Sequence, residues 1–279
     1  MAFPFFGGGA PRVAVLRLYG TIGTSATGRG LALATIARDL EAAFRMRGAK
    51  AVALSINSPG GSAVQSNLIF ARIRALAAEH KKPVYAFAED AAASGGYWLA
   101  CAADEIFADA NSIIGSIGVI SAGFGFPGLL EKLGVERRLY AQGEHKGMLD
   151  AFSPERHDDV NRLLELQKTV HQGFMGLVRE RRGAKLKADD DKLFSGEFWS
   201  GAQALGLGLV DGLGDLRTIM RQRFGDKVRL RVVGKRPGSL RMLLGRSQIE
   251  SSPLDALADW PDRLLGALEA RALWARFGL

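Results

Sequence analysis

Three strand-like, mostly apolar runs, at 13–19, 51–56 and 84–88, alternate with two segments of helical period, and the connections between them are short. Unbroken apolar runs, as opposed to alternating ones, are the pattern of strands covered on both faces. Between the first two runs, Leu33, Ile36, Ala37, Leu40, Ala43 and Phe44 recur at three- and four-residue steps. Arg38, Asp39, Glu41 and Arg45 take the other side, and Gly48 stops the helix. A second helix, 63–80, starts behind Ser62 and is broken at Lys81-Lys82-Pro83. Strand, helix, strand, helix, strand with tight connections closes as right-handed βαβ units, so the chain is expected to be an α/β protein with a mainly parallel sheet.

In such a sheet, ligands bind where the carboxyl ends of the strands open. Two Gly-Gly turns fall there. Asn57-Ser58-Pro59-Gly60-Gly61-Ser62 follows the second strand, and Ala91-Ala92-Ala93-Ser94-Gly95-Gly96-Tyr97-Trp98 follows the third. Ser94 stands before a short helix opening at Gly95, where unpaired N–H groups and the positive dipole end favour a developing anion. The residues leave two roles open for it, helix cap or nucleophile. The first turn is likewise either an ordinary strand-to-helix connection or a place where a ligand reaches bare backbone.

Further along, the pattern predicts a short strand at 105–108, and a strand or strand pair within 111–120, where serines and glycines signal close approach. A brief helix at 126–133, an alternating strand at 135–140 and a polar loop at 141–150 come next. Ser153 and Pro154 then open a long helix to about Arg182, with Leu163, Leu166, Val170, Phe174 and Leu177 as its apolar stripe. A helix with flanking glycines within 195–214, a helix at 216–224 and a strand at 228–233 complete the core pattern. From Gly234 the composition turns to Arg, Leu and Pro, and 262–277 has an amphipathic helical pattern. It suits packing on its own chain or a copy, or peripheral contact with a membrane.

With 47% hydrophobic residues over 279, the chain has material for a large core. The single cysteine, Cys101, excludes an internal disulfide and sits among alanines as a small core residue. The net charge of +8 is spread among acidic residues and comes with no nucleic-acid motif, so a solvated basic face is expected and no nucleic-acid partner. No signal-peptide pattern or apolar run of spanning length occurs, which points to a cytoplasmic protein.

A nucleophilic serine needs a base. Of the four histidines, His80, His157 and His171 lie on helices with polar neighbours, whereas His145 lies in the polar loop. So does Lys146.

Taken in order, the Asn57–Ser62 turn, Ala93-Ser94-Gly95-Gly96-Tyr97, Gly115-Ser116-Ile117-Gly118-Val119, the Lys146 loop before Ser153-Pro154-Glu155-Arg156, and Phe194-Ser195-Gly196 with 204–211 resemble the S49 peptidases, the signal peptide peptidase A family. The resemblance spans roughly 13–233 and follows the short form with one catalytic unit. It implies a ClpP/crotonase-type fold with a C-terminal helical extension, divided into a lead at 1–11, a peptidase domain at 12–233 and a basic extension at 234–279. It also implies a serine endopeptidase acting through an acyl-enzyme on small or apolar peptides or membrane-derived segments, without cofactor or metal. Ser94 is then the nucleophile, Lys146 the general base, Ser116 the hydroxyl orienting the lysine amine, and the Gly61 and Gly95 N–H groups the oxyanion hole. The family's oligomeric rings imply a homo-oligomer in which Lys146 serves the Ser94 of an adjacent chain. Because a lysine is a base only when neutral, Glu144 and Asp150 are expected to point away from its amine. Two other readings share the fold: a crotonase-type acyl-CoA enzyme, and a catalytically silent peptide-binding scaffold.

Overall fold

The computed structural model describes residues 10–23, 30–234 and 260–279. They form two compact units, Met1–Ile117 with Leu177–Leu279, and Gly118–Gly176. The predicted lead at 1–11 and the first part of the predicted extension lie largely outside the described residues.

The first unit is built on one mostly parallel sheet. Its strands are β1 (Arg12–Tyr19), β2 (Ala49–Ser58), β3 (Val84–Ala93), β4 (Glu105–Ala108), β5 (Ile113–Gly115), β6 (Phe198–Ser200), β7 (Gly212–Leu213) and β8 (Arg229–Val232). The order is β6-β5-β3-β2-β1-β8, with β4 pairing β3 and β7. Every pair is parallel except β5 with β6. The helices in chain order are α1 (Leu33–Arg45), α2 (Ala63–His80), α3 (Gly95–Ala100), α4 (Pro127–Lys132), α5 (His157–Arg182), α6 (Asp190–Leu193), α7 (Gly201–Gly206), α8 (Leu216–Phe224) and α9 (Trp260–Ala275).

Alternation along the strands divides the core between two faces. Val13, Val15, Ala51, Ala53, Phe87 and Phe107 meet Ile219 and Met220 of α8 on one. Leu16, Leu18, Leu54 and Ile56 fill the alternate positions and are also fully buried. β3 outruns its predicted end because Ala91–Ala93, too small to advertise a strand, pair with β5. The register slips between Ile56 and Ser58 of β2, so that Glu89 and Asp90 bulge outward.

Several expectations are corrected. The alternating segment 135–140 is not a strand: it has no strand partner and all six residues are exposed. Within 111–120, by contrast, the expected strand is present, as Ile113–Gly115. The 195–214 segment holds two short strands besides its helix. α5 starts at His157, not at Pro154, with Arg156 O accepting from the Asp159 and Val160 N–H groups. Of its predicted stripe, Phe174 is buried but Leu166 is 63% exposed.

Candidate active site

β1, β2, β3 and β5 are parallel, so their carboxyl ends share one edge of the first unit. At that edge the chain leaves β3 through Ser94, whose backbone takes φ 52° and ψ −122°. For a residue with a Cβ this is a strained geometry, costing of order 1–3 kcal/mol, and it persists only where neighbours enforce it. Three contacts do so. The Ser94 N–H donates to Gly115 O at 2.7 Å, its carbonyl accepts from the Trp98 N–H at 3.0 Å, and the 57–62 turn presses against it. Although Ser94 is the N-cap residue of α3, its hydroxyl makes no capping bond. The side chain is left half-exposed at the strand-to-helix corner.

The opposing turn requires its glycines. Gly60 has φ 103°, and a Cβ on it would stand 2.7 Å from the Ser94 Cβ and 2.9 Å from the Gly95 N. Gly61 has φ 140°, and a Cβ there would overlap the Ile22 carbonyl. Ile22 clasps this turn from the other side, its N–H donating to Gly60 O and its carbonyl accepting from the Ser62 N–H, both at 2.8 Å. Pairing Ile22 with the residues on either side of Gly61 leaves the Gly61 N–H without an acceptor among the described residues. That nitrogen lies 3.4 Å from where a Cβ of Gly95 would stand. The Gly95 N–H is the first of α3 and thus one of the donors a helix start leaves unpaired. Two N–H groups and a hydroxyl therefore occupy one corner, and such donors can stabilise an oxyanion.

Ser116 stands at the equivalent corner of the neighbouring strand. Gly115 pairs Ala93, and Ser116 leaves β5 with φ 51°, as Ser94 leaves β3 with φ 52°. Its N–H donates to Glu197 O at 2.6 Å, and the residue is buried.

Two supports escaped the sequence reading. Ser66 lies fully buried on α2, its Oγ donating to Ser62 O at 2.9 Å, and a Cβ on Gly95 would come within 2.5 Å of that Oγ. Its phase with Ile69, Ile73 and Leu76 was the available signal. The other support is a clamp under the far end of α3. Tyr97 donates its OH to Leu209 O at 2.8 Å, while Arg181 donates to the carbonyls of Cys101 and Ala103, both at 2.9 Å. Arg182, almost fully buried, donates to Gly208 O at 2.8 and 3.0 Å and to Asp211 at 2.7 Å. Burial pushes the Tyr97 phenol well above its usual range and the Cys101 thiol up to about 12. Burial also works against the Asp211 carboxylate, but donors from Arg182, Lys185 and the Ile106 N–H outweigh it and hold Asp211 below the usual carboxylate range.

Lys146 belongs to the second unit, where it is exposed. Its N–H donates to Gly143 O at 3.1 Å, turning the 141–150 loop back on itself. Asp150 is engaged by the Ser153 hydroxyl at 2.7 Å and Arg137 at 3.2 Å. The Glu144 carboxylate is highly exposed and lies 3.7 Å from His145 Nε2. Neither forms an ion pair with Lys146 among the described residues.

The sequence profile described as Peptidase family S49 matches residues 77–227, just over half the chain, including the Ser94, Ser116 and Lys146 positions. The chain belongs to the S49 peptidase family. A Brucella abortus protein named Na(+)/H(+) antiporter NhaA is 52% identical to this chain over 272 residues, which are 96% of this chain and 37% of that protein. The chloroplastic serine protease SPPA of Arabidopsis thaliana is 31% identical over 217 residues, 75% of this chain and 31% of the relative. The chain thus spans about a third of the length of these relatives. Among solved structures, a serine-to-alanine mutant of the 1510-N membrane-bound stomatin-specific protease shares its fold at a TM-score of 0.50 and 16% identity, over 81% of this chain and 99% of that one. Among the described residues, no helix is long and apolar enough to cross a membrane.

Proposed function

We propose that this chain is a serine endopeptidase using a Ser94–Lys146 dyad. Ser94 Oγ attacks the scissile carbonyl carbon while Lys146 Nζ takes the hydroxyl proton, then passes it to the departing amine. The Gly61 and Gly95 N–H groups receive the oxyanion, and Ser116 orients the amine. Water then cleaves the acyl-enzyme on Ser94, Lys146 taking a proton from the water and returning it to Ser94 Oγ as the carboxylic product leaves. The observation that carries this reading is the Ser94 corner: a strained backbone, a hydroxyl free of capping duty and an unpaired Gly61 N–H across from it. Strain and unpaired donors together are costly unless they serve the reaction.

The small residues around that corner, with Val64 and Leu68 exposed on the adjoining helix, favour substrates with small or apolar side chains. Lys146 is proposed to act on the Ser94 of a neighbouring copy in a homo-oligomer. Supporting this, no apolar residue from Gly118 to Gly173 is buried, and Lys146 itself is exposed. A second copy would supply the cover that both need.

Cleavage of a quenched-fluorescence peptide with alanine and leucine around the scissile bond tests the proposal. Ser94→Ala and Lys146→Ala are expected to lose about 10³-fold or more in kcat. Wild-type turnover by Lys146→Ala would overturn the dyad, and a folded wild type inert toward every such peptide would favour the silent scaffold.

A further inference from the structure

Ser94 faces the glycine turn only because β3 carries two more residues than the stretch of β2 beside it. Ile56 pairs Ala88 and Ser58 pairs Ala92, so that Asn57 of β2 stands opposite Glu89, Asp90 and Ala91 of β3. Had the register of Val52 with Val84 and Ile56 with Ala88 continued, Ser58 would lie beside Asp90, and Gly60 would follow beside Ala92. Ser94 would then overshoot the turn by two residues, about 7 Å at the rise of a strand. With the slip, a Cβ added to Gly60 would stand 2.7 Å from the Ser94 Cβ. The meeting of hydroxyl and oxyanion turn is thus a property of the bulge.

A bulge leaves ladder groups unpaired unless something takes them up. The Asn57 side chain does so here. Its Oδ1 accepts from the Ala91 N–H at 3.2 Å, and its Nδ2 donates to Asp90 Oδ2 at 2.7 Å. One amide therefore holds both the backbone and a side chain of the bulge. The Asn57 carbonyl accepts from the Gly20 N–H at 2.8 Å, two residues before the Ile22 that clasps Gly60 and Ser62. Asn57 is tied to the Ser94 strand by its side chain and to the clasp by its main chain. Glu89 is secured separately: the buried Ser112 hydroxyl donates to its carbonyl at 2.6 Å, and Tyr19 and Ser55 donate to its carboxylate.

We propose that Asn57 is a positioning residue: by fixing the bulge of β3 it sets the register in which Ser94 meets the Gly60-Gly61 turn. The inference rests on the reading of Ser94 as the nucleophile and of the Gly61 N–H as an oxyanion donor. A reacting group displaced by about 1 Å can cost about 10²-fold in rate, so loss of the register acts on turnover more than on substrate binding.

The test is an exchange of the pair. Asn57→Asp sets two carboxylates against each other. Asp90→Asn alone still offers the Asn57 amide an acceptor. Combining the two substitutions restores a donor and an acceptor with their roles reversed, while the Ala91 N–H keeps its partner. These variants are compared with wild type, Asn57→Ala and Ser94→Ala by steady-state kinetics on the alanine and leucine peptide, and by amide hydrogen exchange of a peptide covering 89–94. The expected fall in kcat is about 100-fold for Asn57→Ala and Asn57→Asp, with return to within about threefold of wild type in the double variant and KM within about twofold throughout. The 89–94 amides should exchange faster in both single Asn57 variants, and at the wild-type rate in the double variant and in Ser94→Ala. Should Asn57→Ala not fold, Asn57→Asp and the double variant carry the comparison. Wild-type kcat in folded Asn57→Asp, a loss appearing wholly in KM, or a folded double variant as slow as Asn57→Asp would overturn the register role while an inactive Ser94→Ala leaves the nucleophile standing. An active Ser94→Ala would instead remove the reading on which the register role depends.

Discussion

Ser94 does no helix capping with its hydroxyl, and its left-handed backbone is tolerated because Gly60 leaves room against it. The prediction at this scale is sharp at Gly61. Alanine there must displace either the turn or the Ile22 carbonyl, moving the Gly61 N–H off any oxyanion. Losing one such donor costs about 3–4 kcal/mol of transition-state stabilisation, so Gly61→Ala should drop kcat by roughly 10²–10³ with little change in the far-ultraviolet spectrum. Unchanged kinetics would show that this N–H has no part in the reaction. A second residue-scale outcome concerns Cys101. With its thiol buried and pushed up to about 12, it should resist a disulfide reagent at pH 8 in the native state and react fully in denaturant. The two serine corners were legible in sequence because glycines announced them. Ser66 was not: a serine on a helix reads as solvated, and the Gly95 backbone that packs against its hydroxyl belongs to another element.

At the scale of elements, the alternation of buried strands and amphipathic helices was legible because strands covered on both faces cannot disguise their apolar runs. Edges and loops were not. The 135–140 segment alternates as a strand should, but a strand needs a partner, and none stands beside it. β6 went unseen because three residues carry no period, yet it closes the sheet edge beside Ser116: Phe198 pairs Gly115. The clamp beneath α3 links the end of α5 to the 208–211 loop through Arg182 and Asp211. Because the folded Asp211 carboxylate lies below its unfolded value of about 3.9, its contribution is complete above that pH and is lost as pH falls through the folded value. Asp211→Asn strands a buried guanidinium and should cost about 3 kcal/mol at pH 7. Its melting temperature should then fall less steeply than the wild type's between pH 4 and 2.5. Parallel curves over that interval would rule out the pair as a source of acid sensitivity.

At the scale of the whole molecule, the first unit has an ordinary buried core, whereas in the second Phe174 is the one buried apolar side chain among the described residues. Phe124 is 82% exposed and Tyr140 90%, two of several large apolar side chains that the 118–173 segment leaves uncovered. Oligomerisation would cover such surface, and Phe124→Ser with Tyr140→Ser should lower the particle mass in light scattering; an unchanged mass would place the subunit contacts elsewhere. If each site draws on two copies, mixing Ser94→Ala with Lys146→Ala chains under subunit exchange should restore activity, and verified mixed particles without any would confine the dyad to one chain. The most direct measurement of the dyad itself is fluorophosphonate labelling of the assembled protein, with the modified residue mapped by peptide mass spectrometry. Modification at Ser94 in the wild type, abolished in a folded Lys146→Ala, is the predicted result. Modification at another residue, or at Ser94 with undiminished rate once Lys146 is gone, would contradict it.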